Sequence, residues 1–110
     1  MANRFVRARP KEDRLVELRE RLDNNEIAAM EPFGRAMTRA LEKARFDSES
    51  GEAVWIEEDY CSPPLAMERA EVLDDYFEDI TIVKEDVDEE VGWQRIDDLP
   101  RLWAEILDEA

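Results

Sequence analysis

The residues able to do chemistry in this chain are few in kind. It holds one cysteine, twelve arginines, thirty carboxylates and no histidine. Without imidazole there is no Ser-His or Cys-His nucleophile pair, no histidine general base and no histidine-ligated metal. One thiol makes neither an internal disulfide nor a thiolate zinc cluster. That thiol, Cys61, precedes Ser62-Pro63-Pro64, at a junction where a strand is expected to feed a helix N-terminus. Helix N-termini attract anions and lower thiol pKa values, which makes Cys61 and Ser62 the most site-like junction. Against this, Glu57, Glu58 and Asp59 crowd the thiol and oppose a thiolate, and nothing is at hand to activate or resolve it. The balance falls toward a structural cysteine beside a proline-started helix capped by Ser62.

Two acidic groupings invite a metal or a proton-transfer role. Glu57 and Asp59 would project from the same face of a strand, as paired carboxylates or a magnesium site require. No partner of distinct environment is visible to separate their pKa values, so they read as surface charge. Asp86, Asp88 and Glu90 alternate, and Asp97 follows in the manner of a calcium loop. Val91 stands where such a loop needs its turn glycine, and Gly92 falls one place late. A solvated hairpin loop is the better reading, and no metal or cofactor is assigned to the chain.

The arginines form the other candidate set. Arg4, Arg7 and Arg9, with Phe5 between them, continue into Arg14, Arg19 and Arg21. Guanidinium forks fit phosphate and an aromatic can stack on a base, so nucleic-acid binding is one reading. Molar salt removes much of the gain that drives it. The favoured reading is that this stripe docks on acidic surface of the same chain or of a second copy. Arg69 is the only base between residues 46 and 83 and shares a helical face with Leu65 and Val72. It could hold an anion, but an arginine whose stem covers the core and whose head pairs with nearby acids explains it with less.

These residues sit in a chain of 110 residues with a formal charge of −15, enough for one domain over 1–110. The charge is divided unequally: residues 1–45 carry a net +3 and residues 46–110 a net −18. Repulsion on this scale opposes compaction in dilute solution, yet it is screened in concentrated salt. Twelve arginines against three lysines accompany the acid excess, which points to a salt-adapted cytoplasmic protein. Met1 to Pro10 is basic with no apolar stretch behind it, so no secretory signal is expected. No run approaches the roughly 20 apolar residues that span a membrane.

The first block, 1–45, reads as a basic helical hairpin. Pro10 suits a first helical position, Leu15, Leu18 and Leu22 make one stripe, and Asn24-Asn25 stop it. A second helix starts near Pro32, with Phe33, Met37, Leu41 and Ala44 along its face. The acidic block, 46–110, opens on a turn at Asp47–Gly51 and a strand at Ala53–Ile56 that runs out through Tyr60. A helix through Leu65, Val72 and Tyr76 follows, then a buried strand at Ile80–Val83. A polar loop leads to a third strand at Gly92–Ile96, and Asp97 or Asp98 caps a last helix. The expected fold is α+β and two-layered, a helical hairpin followed by β-α-β-β-α. Its sheet would be small, mixed and three-stranded, with helices on one face and exposed edges that favour a homodimer.

The stretch Glu58-Asp59-Tyr60-Cys61-Ser62-Pro63-Pro64-Leu65-Ala66-Met67-Glu68-Arg69 resembles one in small uncharacterised acidic proteins of halophilic archaea. That resemblance implies a salt-rich cytoplasm and carries no activity, cofactor or catalytic residue. The expectation is a non-enzymatic protein-interaction module, homodimeric or with a protein partner, using Arg4, Arg7, Arg9, Arg14 and Arg69. The alternative is a nucleic-acid-associated or regulatory factor built on the same N-terminal arginines.

Overall fold

The computed structural model describes residues 2–59 and 61–107. Tyr60, the end of the expected strand run-out, lies outside them. The chain is α+β, but it begins with a strand and not with a helical hairpin. β1 (Ala2–Pro10) is one of the two inner strands of a four-stranded sheet completed by β2 (Arg45–Asp47), β3 (Glu52–Asp59) and β4 (Phe77–Lys84), in the order β2-β3-β1-β4. Every pairing is antiparallel. The mixed three-stranded sheet is therefore wrong in strand number and in pairing. β3 and β4 are both antiparallel to β1, so they run parallel to each other with β1 lying between them.

Among the described residues five α-helical segments flank the sheet, beside a 3-10 turn at Glu12–Arg14: α1 (Leu15–Asp23), α2 (Gly34–Glu42), α3 (66–76), α4 (Glu89–Ile96) and α5 (Leu102–Leu107). In α3 the central Arg69–Leu73 segment winds as a π-helix, a feature found often beside functional sites. The apolar stripes read from sequence are buried. Leu15, Leu18 and Leu22 of α1 and Met37 and Leu41 of α2 are buried, together with Val6, Ala8, Ala53 and Trp55 from one sheet face. Trp55 meets Phe77 with ring centroids 5.1 Å apart, and Trp103 of α5 anchors its Nε1–H on the Leu41 carbonyl at 2.8 Å.

The segment 92–96 is helix, not strand, and it lies on the opposite face of the sheet. There Phe5, Val54 and Ile56 pack against Ile96, with Trp93 and Val87 beside them. Gly92 explains the misreading. A glycine weakens a helix expectation, yet a Cβ at this position would come within 2.8 Å of Ile56 Cδ1, so the residue is what lets α4 approach β3. Asp88 caps this helix by accepting from the Val91 N–H at 3.0 Å. The expected solvated hairpin loop gives way to a helix start. With helices on both faces, the two-layer arrangement is replaced by a covered sheet.

β4 is an edge strand, and only partly the buried one expected. Ile80 and Ile82 are half-buried, while Val83 is 51% exposed. The last helix begins at Leu102, after Pro100, and not directly behind Asp97 or Asp98. Among the described residues no helix is long and apolar enough to cross a membrane.

Candidate functional site

The alternation of β3 carries its acids inward. Ala53, Trp55, Glu57 and Asp59 share one face, so the face that begins as core continues as carboxylates. Glu57 is fully buried and Asp59 only 2% exposed. These are not the surface charges that the sequence suggested. α3 folds back over them and adds Glu68, which is also buried, while Cys61 sits half-buried at their edge.

Each group has a definite environment. Trp55 Nε1–H donates to Glu57 Oε1 at 2.9 Å, and Glu57 Oε2, fully buried, has no hydrogen-bond partner. Asp59 accepts the Cys61 N–H on Oδ1 at 3.0 Å and the Leu65 N–H on Oδ2 at 2.8 Å. Leu65 has φ 60°, a left-handed conformation rare for a bulky residue, and it aims that N–H at the carboxylate. Arg4 supplies the cation. Its Cα stands opposite Glu57 in the β1–β3 ladder, and its Nε reaches Asp59 Oδ2 at 3.1 Å. Its remaining nitrogens donate to the carbonyls of Glu85 at 2.7 Å and Cys61 at 3.1 Å. Cys61 Sγ lies 3.5 Å from Glu68 Oε1.

Burial and mutual repulsion separate the acids. Burial pushes the Glu57 carboxyl well above the usual range, the Trp55 N–H opposes this, and the charges of Glu68 and Asp59 push it further up. Burial would raise Asp59 as well, but the N–H groups of Leu65 and Cys61 and the guanidinium of Arg4 outweigh it and hold this carboxyl low. Burial also raises Glu68, which pairs with the ionised Asp59 as a proton donor. The Met67 N–H favours the Cys61 thiolate, but burial and the charges of Glu68 and Asp59 prevail and raise the thiol. One oxygen or sulfur from each of Asp59, Cys61 and Glu68 lies within 4.8 Å of the others. Comparison with family models, with curated proteins and with solved structures finds no match, so the chemistry is read from this geometry alone.

The junction at Cys61 and Ser62 differs from the expected one. Ser62 does not cap a helix; α3 starts four residues later, at Ala66, with Leu65 before it and no side-chain cap. The thiol still meets the first turn, through Met67 and Glu68. Glu68 is the residue that reading along the chain missed. The signal for Glu57 and Asp59 was present in their parity with Ala53 and Trp55, but nothing in the sequence distinguishes Glu68 from its many acidic neighbours.

The candidate arginines are brought to no common surface. Arg7 bridges Asp47 and Glu52, both at 3.1 Å, and Arg9 reaches Asp79 at 3.4 Å. Arg14 pairs with Glu17 at 3.0 Å, and Arg69 with Asp74 at 3.4 Å. Arg21 donates to Tyr76 Oη at 2.9 Å, and that hydroxyl donates to Glu17 at 2.6 Å. The basic stripe docks within its own chain, much of it as β1 inserted between two acidic strands. Another set of cations stays outward. Arg35 and Arg39 are exposed on α2, one turn apart, and no carboxylate pairs with either among the described residues. With Lys43 they border a cleft reaching Glu89 and Trp93, and Lys43 Nζ stands 4.5 Å over the Trp93 ring. Beyond it lies an open groove of about 880 Å3 rimmed by Asp86, Asp88, Glu89, Glu90 and Asp97.

Proposed function

We propose that the chain is a non-enzymatic, salt-adapted cytoplasmic interaction module that pairs with a second copy of itself through the α2–α4 face. The observation that carries this reading is the juxtaposition of the Arg35-Arg39-Lys43 stripe with the acidic groove of 86–90. A two-fold interface sets the same patch against itself, so a patch with a cationic and an anionic half is self-complementary. Trp93, half-buried between the halves, offers the aromatic anchor that such interfaces concentrate. The same acids argue against nucleic acid as the partner, because they repel a phosphate backbone approaching the arginines. Arg4, Arg7, Arg9, Arg14 and Arg69 serve the fold in this reading, each already engaged by its own chain.

Light scattering on a sizing column in molar potassium chloride, with absorbance at 260 and 280 nm, tests it. A dimer free of nucleic acid is expected, and Arg35→Glu with Arg39→Glu should give a folded monomer. A wild-type monomer, or co-elution with material absorbing in excess at 260 nm, overturns the reading.

A further inference from the structure

The acid–thiol cluster under α3 has a charge problem of its own. Three carboxylates and a thiol lie together with one guanidinium, and burying an uncompensated charge costs several kcal/mol. Asp59 is provided for by Arg4 and two N–H groups. Glu57 has only the Trp55 N–H on Oε1: no donor reaches its fully buried Oε2, and its carboxyl is set against that of Glu68. A buried acceptor left without a donor marks a place where something positive belongs.

We propose that Asp59, Cys61 and Glu68 bind a divalent cation of the zinc class, whose charge answers the surplus of buried acid. The donor set, one sulfur with two carboxylate oxygens, suits a borderline-soft ion better than calcium or magnesium, which take oxygen alone. The spacing also agrees. A sulfur at about 2.3 Å and an oxygen at about 2.0 Å from a tetrahedral zinc ion stand roughly 3.5 Å apart. Cys61 Sγ and Glu68 Oε1 are 3.5 Å apart. Asp59 Oδ2 accepts from Leu65 and Arg4 and Oδ1 from the Cys61 N–H, and loss of the proton that Glu68 shares with Asp59 frees a lone pair to give. Those donors fix the carboxylate as outer-shell partners fix metal ligands. A cavity of about 70 Å3 bounded by Phe33, Ala36 and Met67 opens on all three ligands, room enough for an ion to enter with water as its fourth ligand. On binding, the Cys61 thiol and the Glu68 carboxyl each release a proton to solvent.

The test uses the full chain and cobalt(II) or zinc(II) alone. Cobalt should produce a thiolate charge-transfer band saturating at one equivalent, abolished by excess zinc, and zinc should raise the melting temperature. Surface acids that bind cobalt loosely give no such band. Cys61→Ser, conservative at a half-buried position, should remove the band while leaving the circular dichroism unchanged. Glu68→Gln should weaken zinc by about ten-fold or more. Absence of the band in folded protein, its survival in Cys61→Ser, or a melting temperature indifferent to zinc each overturns the proposal. If Glu68→Gln does not fold, Cys61→Ser decides. None of these outcomes depends on whether the chain is a dimer.

Discussion

The two ends of the β1–β3 ladder use the same ingredients differently. At one end Arg7 lies between Asp47 and Glu52, all three partly open to water. At the other end Arg4, whose side chain is 12% exposed, meets Asp59 at 1%, with Glu57 and Glu68 buried behind it. Both ends set one guanidinium among several acids. Solvent and salt screen the excess negative charge at the Arg7 end, whereas at the Arg4 end only protons, N–H donors or a bound cation can answer it. Burial, and not the count of charges, separates a fastening from a site.

The largest effect is expected where the cation is buried. Arg4→Ala removes the ion-pair partner of Asp59 and two hydrogen bonds to carbonyls. It should cost about 3–5 kcal/mol in denaturant unfolding, with little relief from added salt. A loss below about 1 kcal/mol would mean that the two ends are alike.

Glu57→Gln should act in the opposite direction. The amide keeps an acceptor for Trp55 and places a donor where Oε2 has none. In the presence of a chelator the variant should gain about 1–2 kcal/mol in thermal or denaturant unfolding. Destabilisation would show that the buried oxygen is already satisfied.

The smallest effect belongs to the open end. Arg7→Ala should cost about 0–1 kcal/mol, and less in molar salt. Its signature is in acid. The Arg7 guanidinium holds the Asp47 carboxyl below its usual value, so this pair stabilises the fold above the unfolded pKa and loses that contribution as pH falls through the folded one. Arg7→Ala should therefore shift the acid-unfolding limb toward higher pH. An unchanged limb would show that the pair contributes nothing measurable.

The parts of this fold legible from sequence are those whose partners lie nearby in the chain. α1, α2, the outward-turning Asn24-Asn25 and the strand at Ala53–Ile56 follow from local periodicity and turn chemistry. β1 was hidden because its arginines look solvated until their carboxylates arrive from positions forty or more residues away. Its period-two pattern was there all the same: Val6 and Ala8 inward to the main core, Phe5 to the other face. α4 was hidden because Gly92 weakens a helix in isolation and permits one against β3.

By itself, the sequence determined the helical stripes, the acid excess and the parity that aligns Glu57 and Asp59 with Trp55, because these depend only on residue type and on the repeat of helix or strand. Tertiary structure alone decided that β1 lies between β3 and β4, and that α3 seals Glu68 and Cys61 over the acids of β3. It decided, too, that Arg4 is the cation buried among them. The physical reason is that pairing across the sheet and the removal of water are set by segments far apart in the chain. A carboxylate's chemistry follows from what finally surrounds it.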